Sequence, residues 1–383
     1  VLKLTRLLFL DRPYFQMNSA PRALSRRYFT TLSASSFTAF AILGAGVALA
    51  MPLLKARRGG LQRPPSLGTT FSQLQCRYMG LDYQAAFRAI CRLGLDRVRL
   101  CCYWNELEAL EGQFDFTTLD WLLDECDRHN LAVVLAVGMK VPRWPEFHFP
   151  QWLTERTNTA ERQRPLDLNP LIADRTLNMM QQVVTHTRSA PAVSHWQIEN
   201  EPFTQLEISA GRFLSPEFVQ QEVELVRSLA LPHQKILLTN AITLPAAQLA
   251  EDDRAFETSL RLADAVGVNV YTKVPAGNST FYLQPLPPYW ARLKSWQTRL
   301  TEAERESWVA EAQAEPWEPN QLVAMQQVEY PSSSPHQATQ LVSGLAAMGY
   351  GTVMLWGCEY WYWHQQHQRH DWWLAMQELI ASE

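Results

Sequence analysis

The feature that most constrains this chain is a rhythm of short apolar runs and longer amphipathic stretches. Between Gly68 and Trp356, runs rich in β-branched residues recur near 68–71, 97–100, 132–137, 194–198, 235–239, 265–270, 307–310 and 351–356. The third, Ala-Val-Val-Leu-Ala-Val, is apolar throughout, as expected of a strand covered on both faces. Between the runs lie helical patterns such as 84–93, 119–129, 173–187, 216–230 and 335–348. Strands alternating with helices predict an α/β fold with a parallel sheet, and eight such units predict a single (β/α)8 TIM barrel. Three segments follow: residues 1–54, a linker 55–67, and the barrel 68–383.

Barrels of this kind place functional groups at the carboxyl ends of their strands. Here the polar and aromatic residues collect there: Tyr103, Trp104, Asn105 and Glu106 after the second run, Lys140, Arg143, Trp144 and Glu146 after the third, Tyr271 after the sixth, and Glu359, Tyr360, Trp361 and Trp363 after the eighth. A mouth of this mixture suits sugars, whose rings have apolar faces and hydroxyl edges. The fourth run ends in Glu199-Asn200-Glu201-Pro202 and the seventh in Glu311, with Glu315 four residues on. Glycosidic bonds are cut by two carboxyls, so a pair at two strand ends is the chemistry to look for. The 110 positions between Glu201 and Glu311 match about three strand–helix units, which puts the pair on strands four and seven.

From about Gly68 to Trp373 the chain resembles the clan of retaining (β/α)8 glycoside hydrolases that includes cellulases, xylanases, mannanases and β-galactosidases. The resemblance rests on Asn200-Glu201-Pro202, Glu311, Arg99, Tyr271 and Trp356, and Gly112–Phe116 followed by Leu119-Asp120 looks like the β-galactosidase and xylanase branches. It implies Glu201 as acid/base and Glu311 as nucleophile, Asn200 on the sugar 2-hydroxyl, Arg99 and Tyr271 holding the nucleophile, and Trp356 stacked on the sugar. Trp104, Lys140 and Trp144 are further candidates for substrate binding. Glu315 rivals Glu311 and Glu199 rivals Glu201, since residues two apart on a strand share a face. The acid should have a raised pKa from partial burial and from the charge of Glu311, because an ordinary Glu near ~4.3 has no proton to give at neutral pH. The resemblance implies a β-linked oligo- or polysaccharide substrate. A transglycosylase using the same residues and a non-catalytic polysaccharide-binding barrel are the competing readings.

Other features carry less. His364, His367 and His370 are spaced by three, which does not place the first and third on one tight helical face, so a solvated polar segment is expected there and no metal. Six cysteines without a CxxC pair read as buried thiols, with a bond formed after export as the alternative. A net charge of −4 without a basic stripe excludes nucleic acid as a partner, and no phosphate-cradling Gly-rich loop calls for a cofactor. In the first segment Ser25-Arg26-Arg27-Tyr28-Phe29 precedes a weakly apolar stretch, 37–54. It resembles a twin-arginine export signal, with Ala48-Leu49-Ala50 as cleavage site and the twin-arginine machinery as partner. An uncleaved membrane anchor is the rival, and either places the barrel outside the cytoplasm, periplasmic or extracellular. Met17 would give a conventionally short basic region, making the residues before it an over-extended start.

Overall fold

A computed structural model describes residues 64–206, 208–244, 249–277, 279–321, 325 and 329–382. The expected signal or anchor and the linker up to residue 63 lie outside the described residues. Eight parallel strands close a barrel: β1 Ser66–Thr70, β2 Arg97–Cys101, β3 Ala132–Val137, β4 Val193–Ile198, β5 Lys235–Ala241, β6 Ala265–Val270, β7 Glu306–Gln313 and β8 Thr352–Trp356, with β1 pairing both β2 and β8. The expected (β/α)8 architecture is therefore present. The seventh strand runs longer than the apolar run suggested, so Glu311 lies within it rather than after it. A two-stranded hairpin, Val274–Pro275 with Tyr282–Leu283, sits between β6 and the next helix.

The longer helices are α1 Tyr83–Cys91, α2 Thr117–Arg128, α3 Pro170–Thr187, α4 Pro216–Leu229, α5 Leu249–Leu262, α6 Pro287–Glu302, α7 Pro335–Met348, α8 Cys358–Gln366 and α9 Asp371–Ala381. Their starts follow capping chemistry. Asn169, Ser215 and Ser334 each accept from backbone N–H groups of the first turn, and each is followed by a proline that has no N–H to satisfy. Gly349 ends α7 at φ 94°, a left-handed cap that glycine adopts without a Cβ clash.

Two apolar layers result. Val134, Leu237, Ala265, Trp308 and Met354 fill the barrel interior, while the alternate residues of the strands, such as Val133, Trp196, Val309 and Val353, join the helices in the larger outer core. Trp196 and Trp361 are fully buried, and each such ring removes enough apolar surface from water to contribute about 4–6 kcal/mol.

One expectation is corrected here. Of the expected solvated polar segment, Gln366, His367, Gln368 and His370 are exposed, but His364 is not. His364 belongs to α8 and is only 1% exposed, against Tyr360. Tyr360 in turn packs on Trp372 of α9, so the aromatic face of α8 carries the histidine inward. Burial pushes its pKa down to about 4, which keeps the ring neutral.

Candidate active site

Simple alternation would turn Glu311 outward. Trp308 belongs to the interior cluster, whereas Val309 and Ala312 face the helices. The register explains the exception. Val268 pairs with Val309, but Asn269 pairs with Glu311, so one extra residue, Ala310, is inserted into β7 opposite β6. The β8 edge slips as well, with Val353 opposite Val309 and Leu355 opposite Ala312. A bulge of this kind resets the side-chain parity of a strand and is a recurring way to aim a functional group. Glu311 consequently points into the barrel mouth, where one oxygen accepts from Arg99 Nη2 at 2.7 Å and the other from the Tyr271 hydroxyl at 2.6 Å. Both contacts favour a charged carboxylate. Arg99 is itself fixed by Thr70 Oγ1 and Gln197 Oε1, each at 2.9 Å.

At the end of β4 the backbone leaves the extended region. Glu199 has φ 58° and Glu201 φ 45°, conformations costly for residues with a Cβ and typical of functional sites. The two glutamates part company here. Glu199 turns under the loop after β3, where it accepts from the backbone N–H of Met139 at 2.8 Å and of Lys140 at 2.6 Å. Gly138 makes room for it: a Cβ there would lie 2.3 Å from the Glu199 carboxyl, and φ is 138°. Glu201 instead faces the cavity, held by Asn269 Nδ2 on Oε1 at 2.8 Å, with its backbone N–H on Thr239 Oγ1 at 3.0 Å. Asn269 thus pairs in register with one carboxylate and donates to the other.

The loop after β3 carries the remaining charges. Lys140 is fully buried and neither snorkels to solvent nor lines the cavity; its Nζ donates to the Glu201 carbonyl at 2.9 Å and lies 3.5 Å from Glu146 Oε2. Arg143 bridges Glu315 at 2.7 Å and Glu359 at 2.5 Å and lies over the Trp356 ring at 4.0 Å. That ion pair withdraws Glu315 from the role of rival nucleophile. Trp144, half exposed, stands at the rim. Asn200 is 2% exposed and donates to Glu146 Oε1 at 2.9 Å, and Glu146 rather than Asn200 lines the cavity. Trp104 is not at the mouth at all. It is buried against Phe149 and Trp152 with its indole N–H on Glu108 at 2.7 Å, because the short helix Trp104–Leu107 turns it into the wall.

These residues enclose a cavity of about 450 Å³ at the carboxyl ends of the strands, lined by Glu146, Glu201 and Glu311, the aromatic rings of Trp144, Tyr271, Tyr289, Trp317 and Trp356, and apolar residues of the hairpin and the segment after β5. A larger hollow of about 800 Å³, around Asp96, Arg97 and Glu306, lies at the opposite end of the barrel and holds none of these groups. Within the site, burial pushes Glu201 up to about 8, partly opposed by Lys140 and reinforced by the charges of Glu146 and Glu311. Glu146 is raised too, by burial first, with Lys140 opposing.

The sequence reading did not single out Asn269 and Thr239, which set the Glu201 geometry. A signal existed for Asn269: it is a lone amide inside an otherwise apolar six-residue strand. The Arg143 bridge carried no local signal, because Glu315 and Glu359 are 172 and 216 positions away.

Fold and carboxyl arrangement together define a TIM barrel built like a glycoside hydrolase. Comparison with known proteins supports that class. Residues 81–216 match the family model Glyco_hydro_42, described as β-galactosidase. Over 106 residues the chain is 30% identical to β-galactosidase BbgII of Bifidobacterium bifidum, which covers 26% of this chain and 15% of the relative's length. Among solved structures, GH5_18 from Bifidobacterium longum subsp. longum superposes with a TM-score of 0.55 at 13% identity, covering 83% of this chain and 79% of that one. The β-galactosidase of Rahnella sp. R3 gives the same TM-score at 11% identity, covering 83% and 55%. At these identities the structural likeness is one of fold.

Proposed function

We propose that the protein is a retaining β-glycoside hydrolase acting on a β-linked oligo- or polysaccharide, with Glu201 as acid/base and Glu311 as nucleophile. One observation carries the reading: a carboxyl whose burial keeps it protonated near neutrality faces the same cavity as a carboxylate held by an arginine and a tyrosine hydroxyl. Two carboxyls whose surroundings separate their protonation states are the acid and the base of such a reaction. Glu201 would protonate the glycosidic oxygen while Glu311 attacks the anomeric carbon, releasing the aglycone alcohol and leaving a glycosyl ester. Glu201, now ionised, would take a proton from water, whose oxygen displaces Glu311. Arg99 and Tyr271 stabilise the nucleophile before attack and receive its charge back on release. The exposed Trp144 offers a stacking face at the rim for a further sugar, while Trp356 has one side occupied by Arg143. The match to a β-galactosidase family, and a fold neighbour crystallised with Manb1-4GlcNAc, support a β-linked substrate.

A panel of aryl β-glycosides and β-linked oligosaccharides tests this. Turnover should fall by about three orders of magnitude or more in Glu311→Ala, consistent with loss of a covalent step. Azide should then restore it and give a glycosyl azide of inverted anomeric configuration. Sugar transfer to a second sugar in place of water would identify a transglycosylase. Saturable binding without any turnover would identify a binding barrel.

We also propose that the barrel works outside the cytoplasm, exported by the twin-arginine machinery or held by an uncleaved anchor. Arg26-Arg27 ahead of the weakly apolar stretch supports this reading. Replacing both arginines by lysine should leave the protein in the cytoplasmic fraction; unchanged fractionation would remove the proposal.

A further inference from the structure

Glu146 has a chemical peculiarity that the hydrolytic cycle does not use. Its Oε1 accepts from Asn200, but its Oε2, in a side chain 5% exposed, accepts no hydrogen bond. The nearest cation, Lys140 Nζ, forms an ion pair with it at 3.5 Å while donating to the Glu201 carbonyl, so the oxygen has a charge partner but no short donor. A buried carboxylate oxygen without a donor is costly, and the cost is relieved by a ligand that brings one. Glu146 lines the cavity, so the donor can come from the substrate.

The surrounding charges say which donor fits. Arg143 is the one cation among the described lining residues, and it is already shared between Glu315 and Glu359. The Asn269 amide is taken by Glu201, and Arg99 by Glu311. Arg212, the other cation whose charge reaches Glu146, donates to the Ser209 and Pro145 carbonyls. A buried carboxylate whose neighbouring cations already hold other acceptors favours a cationic ligand and disfavours an anionic one.

We propose that Glu146 is a specificity-determining residue that receives the ammonium group of an amino sugar, making basic amino-sugar glycosides the preferred substrates of this site. The inference rests on the glycosidase reading for the word substrate, but the recognition stands apart from turnover. Calorimetric titration of the full chain at about pH 6.5 with glucosamine and galactosamine, each against its hydroxyl counterpart, and with glucuronate, tests it. At least one amino sugar should bind about tenfold more tightly than its counterpart, with glucuronate weakest, and Glu146→Gln should erase the preference while Glu146→Asp retains part of it. If Glu146→Gln does not fold, the wild-type preference must still fade as pH rises and the ammonium loses its proton. Equal affinities, an undetectable amino sugar, tighter glucuronate or a preference that survives in Glu146→Gln would each overturn the proposal. Absence of turnover with the preference intact would remove the hydrolase reading and leave this one standing.

Discussion

At the residue scale, the protonation of Glu201 is set by neighbours pulling in opposite directions. Burial raises its pKa, Lys140 lowers it, Glu146 and Glu311 raise it, and the hydrogen bond from Asn269 lowers it. A general acid must hold its proton, so the activity should fall on the alkaline side with a limb near pH 8. Asn269→Ala removes a contact that favours the charged form, and the limb should move upward by as much as one pH unit, since a hydrogen bond contributes about 0.5–1.5 kcal/mol. A pH profile of kcat/KM measures this directly; a limb that stays put or moves down would show that Asn269 does not control the acid. The sequence announced Glu201 and Glu311 because both end apolar runs. It could not show that Asn200 would be spent on Glu146, since that bond joins residues 54 positions apart through the conformation of a loop.

At the scale of elements, the end of β4, the loop after β3 and helix α4 are locked together by buried acids. Glu199 accepts two backbone N–H groups of the loop, and Glu222 of α4 lies fully buried against it, its oxygens met by no donor from another residue. The arrangement is that of a carboxylic acid giving its own proton to a carboxylate. Burial raises both pKa values, Glu199 to about 7 and Glu222 further through the charge of Glu199. Folded-state values above the unfolded ones mean that the folded chain binds more protons in between, so this contribution is full below about pH 4.5 and is lost as pH rises through about 7. The thermal midpoint should therefore decline between pH 5 and pH 8, and Glu222→Gln, which supplies a permanent donor, should flatten the decline. Differential scanning calorimetry across that range would detect it, and an unchanged slope in the variant would rule the pair out as the cause. Most strands and the helices near 84–93, 119–129, 173–187, 216–230 and 335–348 were legible in advance because apolar periodicity is a local signal, whereas α5 and α6 were not among the patterns named. The β7 bulge was not, because it is defined by pairing with β6 and β8.

At the scale of the whole molecule, the barrel keeps its chemistry at one end and its thiols out of reach. All six cysteines are free and buried, and burial raises the pKa of each, well above the range where thiolate forms at neutral pH. The native protein should react with a thiol reagent far more slowly than the denatured chain, which should titrate all six, and an oxidant should leave its melting temperature unchanged. Rapid native labelling of one or more would contradict the packing. Among the described residues no helix is long and apolar enough to cross a membrane.

The inserted Ala310 has a consequence for how such a barrel can drift over generations. If a substitution let Ala310 enter the ladder opposite Asn269, alternation in β7 would become regular and Glu311 would swing from the mouth towards the helices. The strand would still pair and the barrel could still close, so a lineage could exchange an active site for an inert scaffold in one step while keeping the glutamate in its sequence.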